Sequence, residues 1–351
     1  MFAYIGCRTT RERNARGEGI SVVKCHPDTG ALSLVEIHKG WENPSYLTLN
    51  KAKRLLYTVH GDGTQASAFS IDAKTGLLNH INSQSTQGKN PVHLALSPNE
   101  QHLIVSNHVS SSLAVLPVEK NGALGELSQL ITLEGEPGPH RKEQPFAKPH
   151  FNPFDPSGRF VAVPDKGLNK IFTIPFRNGE LIADEMREVS TRETAGPRNT
   201  VFHPRLPYCY TINELDSTVT AYRFDAKHGS LQPFQIISGL SEHFTGDSRG
   251  AGIQLNRRGD TLYTSHRGAD TIAVMSIDQH TGDLTLEQSM PCQGKTPRFF
   301  TLDPSNRWLY ALNEDSDSIE CFKVAEKGTG LLSATGQTFH SASPVCMVFG
   351  E

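Results

Sequence analysis

The sequence predicts an all-β fold: a seven-bladed β-propeller with four strands per blade, its ring closed by pairing of the N- and C-terminal strands. Three observations predict it. A Gly-x-Leu element recurs at Gly30/Leu32, Gly76/Leu78, Gly122/Leu124, Gly179/Leu181, Gly229/Leu231, Gly282/Leu284 and Gly330/Leu332. A proline or glycine opens an alternating run at Pro44, Pro91, Pro149, Pro197, Gly250, Pro297 and Pro344, at spacings of 47, 58, 48, 53, 47 and 47 residues. Hydrophobic periodicity of two dominates, with little helical patterning. Repeats of this length, each holding four short strands, have the size of propeller blades, and stacking such units buries faces that none could bury alone.

Within a unit the anchor opens an innermost strand, and about seven residues later comes a turn, as in "LSPNEQHLI", "FDPSGRFVA", "FHPRLPYCY" and "LDPSNRWLY", leading into a second strand. A third strand such as "STVTAYRF" (217–224) runs into a tight turn of the type "DTG", "DAKTG", "DAKHG" or "DQHTG", and an outer strand such as "LQPFQII" (231–237) follows. Glycine supplies the positive φ that these turns need. The Asp-rich turns lack the alternating carboxylates and terminal Glu of an EF-hand, so they read as turns and not as calcium loops. The last anchor, Pro344, is followed only by "VCMVFGE", one strand of chain, whereas the N-terminal segment begins at "FAYIGC", which matches a second strand. The C-terminal strand is therefore expected to complete the N-terminal blade, giving a single domain over 1–351.

Composition narrows the function. With 34 basic and 37 acidic side chains in 351 residues, net charge is −3, so neither a basic field for nucleic acid nor an acidic tail is present. No 18-residue apolar stretch occurs, and "MFAYIGCRTTRERNARG" lacks the apolar core of a signal peptide, so no membrane association and a cytoplasmic location are expected. Cys7, Cys25, Cys209, Cys292, Cys321 and Cys346 form no CxxC pair and read as buried thiols, neither a zinc site nor a disulfide framework. No metal and no cofactor are expected.

The repeat also serves as a ruler. Ser45, Val92, His150, Arg198, Ala251, Arg298 and Val345 share one position, the first residue after each anchor, and His150, Arg198 and Arg298 stand out against small or apolar equivalents. A second set follows the second strand: Cys7-Arg8, His60-Gly61, Asn107-His108, Asp165-Lys166, Asn213-Glu214, His266-Arg267 and Asn313-Glu314. Antiparallel pairing brings both sets to one end of the channel. His150, Arg198, Glu214, Arg267, Arg298 and Glu314 are expected to converge there, beneath two long insertions at 134–148 and 241–251. Arginines around a channel mouth favour an anionic small molecule, because the guanidinium fork matches carboxylate and phosphate geometry. A His and a Glu among them can move protons. No Gly-x-Ser-x-Gly elbow or P-loop is present.

These residues resemble a known family. "GPRNTVFHP" (196–204), "NEL" (213–215), "PHFNPFDPSGRFVAVPD" (149–165) and the terminal "ASPVCMVFGE" are similar to the bacterial lactonase family of seven-bladed propellers, which includes propeller-type 6-phosphogluconolactonases and is related to fungal carboxymuconate lactonizing enzymes. The resemblance implies catalytic roles for His150, Arg198 and Glu214, with Arg267 and Arg249 as anion-binding companions. Arg298, Asn213 and His266 join them as expected substrate contacts. Phe151 departs from the small polar residue expected after the histidine. The expected activity is hydrolysis of a small anionic sugar-acid lactone; a lactone-forming cycloisomerase acting on a muconate-type dicarboxylate uses the same residues. A non-enzymatic scaffold is a further alternative, as is a metal-dependent lactonase built on Asn213, Glu214, Asp165 and Asn313. Oligomeric state is not specified by the sequence.

Overall fold

The computed structural model describes residues 1–325 and 329–350; the expected domain limit at Glu351 lies outside the described residues. Seven four-stranded antiparallel sheets follow one another along the chain, and the innermost strands of neighbouring sheets touch around a central channel. The first blade is composite. Its innermost strand is the C-terminal Pro344–Phe349, paired antiparallel with Phe2–Cys7 in the register Ala3↔Phe349 to Cys7↔Pro344. The chain ends therefore close the ring as expected, leaving no free innermost edge at the seam.

The Gly-x-Leu elements are the turns between third and fourth strands, and their glycines take positive φ: 73° at Gly30, 75° at Gly76, 89° at Gly122, 87° at Gly179, 68° at Gly229, 81° at Gly282 and 62° at Gly330. They also lock neighbouring blades together. The second-strand tyrosines donate their hydroxyls to the turn-glycine carbonyl of the next blade, Tyr4 to Gly76, Tyr57 to Gly122, Tyr210 to Gly282, Tyr263 to Gly330 and, across the seam, Tyr310 to Gly30. An amide side chain on the outer strand completes the lock: Gln235 brackets the backbone of Leu284, and Gln288 that of Leu332.

Stacked blades cover both faces of the inner strands, so Tyr208–Asn213 is buried at every residue, while the outer Ser230–Ser238 alternates towards solvent. The core accordingly lies between sheets, as where Tyr210, Ile212 and Val219 meet Ile253, Leu262 and Met275. Blade 4 is the irregular one. Its innermost segment makes only the bridges Pro149↔Asp165 and Phe154↔Val161. Pro149 and Pro153 have no N–H for a ladder, and Asn152 turns away to donate to the Ile104 carbonyl of blade 3.

Candidate functional site

The channel mouth is built by a repeated defect. In the innermost pairings the register slips immediately after the anchor, between Pro44 and Tyr46, Pro91 and His93, Pro197 and Asn199, Pro297 and Phe299, and Gly250 and Ile253. The residue passed over is an unpaired bulge, and a bulge re-aims its side chain out of the sheet. Ser45, Val92, Arg198 and Arg298 are such residues. Together with His150, Val345 and Arg8 they line one pocket, floored by Tyr46, Phe151 and Phe299. The cavity itself is small, about 30 Å³, because the inturned guanidinium groups narrow it. Phe151 contributes to the floor by stacking on His93 at 3.7 Å between ring centroids and meeting Tyr46 edge-on at 5.9 Å.

The second-strand set divides by parity. The first member of each pair lies opposite the anchor and turns into its own blade. Asn213 donates to Thr218 and Thr220, Asn313 to the Cys292 carbonyl and Ser318, and His266 Nε2 bonds Thr264. Asp165 accepts the backbone N–H groups of Lys148 and Leu168. Asn213 and His266, expected as substrate contacts, thus have their side chains engaged inside blades and away from the pocket. Asn213, Asp165 and Asn313 likewise do not converge with Glu214. Among the described residues, no group of three or more His, Cys, Asp or Glu side chains is placed to hold a metal ion. The second members point the other way, and among them Arg8, Lys166, Glu214, Arg267 and Glu314 cluster with the bulge arginines.

Glu214 is the electrostatic centre. Its Oε2 lies 3.0 Å from Arg198 Nε, and its Oε1 lies 3.3 Å from Lys166, 3.4 Å from Arg267 and 3.8 Å from Arg249. Burial alone would raise this carboxyl, but Arg267, Lys166 and Arg198 outweigh it and hold the group well below its ordinary value. Arg198 is oriented further by donating from Nη1 to the Ala251 carbonyl at 2.7 Å and to Asn199. Burial pulls the Arg198 pKa down to about 9, with Arg267 adding to the effect. Glu214 is not among the pocket-lining residues; it meets the pocket through Arg198.

His150 lines the pocket with its Nδ1 buried and without a hydrogen-bond partner. Burial, reinforced by Arg198 and His108, drives its pKa well below the ordinary value, so the ring is neutral at neutral pH. His108 stands beside it, ring centroids 5.2 Å apart and nearly perpendicular, and donates from Nδ1 to the Pro149 carbonyl, fixing the backbone that carries His150. The insertion at 134–148 reaches the same site through Glu143, which pairs with Lys166 and with Arg249, each at 3.0 Å. Arg298 pairs with Glu314 of its own blade at 3.6 Å.

A family model for "Lactonase, 7-bladed beta-propeller" matches residues 2–349. The chain belongs to this lactonase family. Among curated proteins, it is 31% identical over 353 residues to a 6-phosphogluconolactonase of Bacillus subtilis (strain 168), covering 99% of each chain. A second relative named 6-phosphogluconolactonase, from Formosa agariphila, is 29% identical over 88% of each chain. Of the solved structures, one from Bacteroides fragilis aligns at a TM-score of 0.90 with 26% identity, covering 100% of this chain and 98% of that one. The periplasmic gluconolactonase of Pseudomonas aeruginosa aligns at 0.92 with 24% identity, covering 100% and 99%, a likeness of fold.

Sequence reasoning missed Arg8, His108, Lys166, Ser45 and Glu143 as site residues. The first three stand in the aligned second-strand set, where the available signal was parity: only the second member of each pair faces the channel. Ser45 looked like an ordinary small residue at its position. Glu143 lies in a non-repeating insertion, and nothing in its local sequence distinguishes it.

Proposed function

We propose that this protein hydrolyses a small anionic sugar-acid lactone of the 6-phosphogluconolactone type. The observation that carries the reading is His150, a neutral ring lining a pocket walled by Arg198 and Arg298, with its Nδ1 buried and unpaired. Membership of the lactonase family and the names of its relatives support the substrate class.

In this reading His150 is the general base. It takes a proton from water as the oxygen bonds to the lactone carbonyl carbon, and Arg198 stabilises the negative charge that develops on the carbonyl oxygen. Collapse breaks the bond to the ring oxygen, which receives the proton back from His150 and leaves as the alcohol of the open-chain acid. Glu214 is engaged by four cations and does not line the pocket, so it is not placed to take the proton. It orients Arg198 and Arg267. Arg267 and Arg249 supply positive potential at the rim, and Arg298 faces the substrate directly.

The decisive experiment follows lactone consumption over the spontaneous rate, for the parent protein and for His150→Asn. Enzymatic loss of the lactone that disappears in His150→Asn supports the assignment. Turnover unchanged in His150→Asn removes the histidine from the mechanism. Formation of a lactone from a muconate-type dicarboxylate, with no hydrolysis, replaces hydrolysis by cyclisation at the same site.

A further inference from the structure

The pocket wall carries, besides Arg198 and Arg298, a further cationic group that the hydrolytic chemistry leaves unused. Arg8 is only 3% exposed, lines the pocket, and has its Nη1 buried without a hydrogen-bond partner. Its nearest anion is Asp62, 3.5 Å away, but Asp62 is held by the Arg13 guanidinium, which donates to both of its carboxylate oxygens. Arg8 is therefore only partly neutralised, by Asp62 and, at longer range, by Glu314. Burial, with Arg298 and Arg13 adding to it, pulls its pKa down to about 9. Close by, Ser45 is 8% exposed and its Oγ is likewise buried and unpaired.

The space these atoms occupy is created by a glycine. In the second-strand set every blade but one places a side chain at the channel mouth: Arg8, His108, Lys166, Glu214, Arg267 and Glu314. The exception is Gly61. A Cβ there would collide with the Arg8 guanidinium and lie 2.7 Å from Ser45 Oγ. Unlike the turn glycines, Gly61 is not at a positive φ, so its backbone does not require glycine. The room it leaves is what lets the Arg8 side chain swing in from the neighbouring blade towards Ser45.

We propose that Arg8, Ser45 and Arg298 form a second anion subsite, which takes an oxyanion group carried by the substrate at a distance from the lactone carbonyl. The inference rests on the hydrolytic reading above and makes it specific. Arg198 and His150 act on the carbonyl, while Arg8 and Arg298 grip the far end, where a buried guanidinium offers two parallel N–H groups to phosphate or carboxylate oxygens. Holding the substrate at both ends fixes the carbonyl against His150. The recognised chemistry is an anionic tail on the lactone, phosphate or carboxylate.

The test compares 6-phosphogluconolactone with glucono-1,5-lactone, which lacks the phosphate, in the parent, Arg8→Gln and Gly61→Ala proteins. The ratio of kcat/KM for the phosphorylated over the neutral lactone is expected to fall by about tenfold or more in Arg8→Gln, mainly through KM. Gly61→Ala should lower the ratio in the same direction, although it keeps every charge, because it displaces the guanidinium. Equal losses for both lactones, or an unchanged ratio in both variants, overturn the subsite. Calorimetric titration with 6-phosphogluconate and gluconate separates this proposal from the activity. If the parent turns over neither lactone yet binds 6-phosphogluconate in an Arg8-dependent manner, hydrolysis falls and the subsite stands. If lactones are hydrolysed with a ratio indifferent to Arg8, the subsite falls and hydrolysis stands. A larger Arg8-dependent preference for a lactone bearing a free carboxylate assigns the tail as carboxylate.

Discussion

Arg198 sits in a strand bulge with one edge on Glu214 and the Ala251 carbonyl, so substitution can separate its charge from its shape. Arg198→Lys keeps the charge but loses the planar array of donors, and kcat/KM is expected to fall about 10²-fold while the fold survives, since Ser45 and Val92 occupy the equivalent bulge elsewhere. Thermal unfolding measured beside kinetics checks this. A loss of stability matching the loss of activity would assign Arg198 to neutralising Glu214 alone. His150 makes a second prediction. Burial, with Arg198 and His108 adding to it, depresses its pKa in the free protein, and an anionic substrate offsets the positive charge of Arg198. A general base works only when deprotonated, so activity is lost as pH falls through its pKa. The acid limb of kcat, which reports the bound complex, should therefore lie at higher pH than that of kcat/KM, which reports the free protein. Coincident limbs would remove either the base role or the electrostatic coupling.

The insertion at 134–148 is an element whose effect is local and electrostatic. Gln144 anchors it by donating to the Lys166 carbonyl and to Asn169, each at 2.8 Å, and this holds Glu143 between Lys166 and Arg249. Glu143→Gln removes a carboxylate that competes with substrate for those two cations. KM for an anionic lactone is expected to drop about threefold at low salt, with the gain lost at high salt because the pair is partly exposed. An unchanged KM across ionic strengths would leave Glu143 a purely structural strap. The irregular innermost segment of blade 4 is a second element with local consequences, for its two prolines and Asn152 take His150 out of a regular ladder.

On the scale of the whole molecule, closure makes stability a property of the ring. Deleting 345–351 strips the innermost strand from blade 1, exposes Ala3, Ile5 and Tyr310 of the seam, and should lower the midpoint of a single cooperative transition. An unchanged midpoint would show that the ring does not depend on closure. Buried histidines add a dependence on pH. His93, His108 and His266 have folded-state pKa values pulled by burial from 6.5 to about 3. Below pH 6.5 the unfolded chain binds protons that the folded chain refuses, so stability present above 6.5 is lost as pH falls towards 3. Each contributes about 1.4 kcal/mol per pH unit. Asp165, raised by burial to about 6, opposes this from pH 6 downwards, but it is one group against three. Unfolding midpoints should hold between pH 7.5 and about 6.5 and fall from there to pH 5, and a flat profile throughout would contradict the burial of these rings.

The sequence by itself determined the architecture, because a propeller blade is specified locally. Glycine at the Gly-x-Leu turns, a proline or glycine at each innermost strand and alternating strands between them recur often enough to count the blades and to place Pro344–Phe349 beside Phe2–Cys7. It also placed His150, Arg198 and Arg298 at one ring position, since equivalent positions in a repeat are equivalent in space. Only the tertiary structure decided which neighbours of those residues face the channel. Asn213 and Glu214 are adjacent in sequence, yet one bonds within its blade and the other gathers four cations, because successive side chains along a strand point to opposite sides. The approach of Arg8 to Ser45 over Gly61 joins residues from two blades, and that of Glu143 to Arg249 joins two insertions. Such contacts depend on how blades stack, which no local pattern encodes.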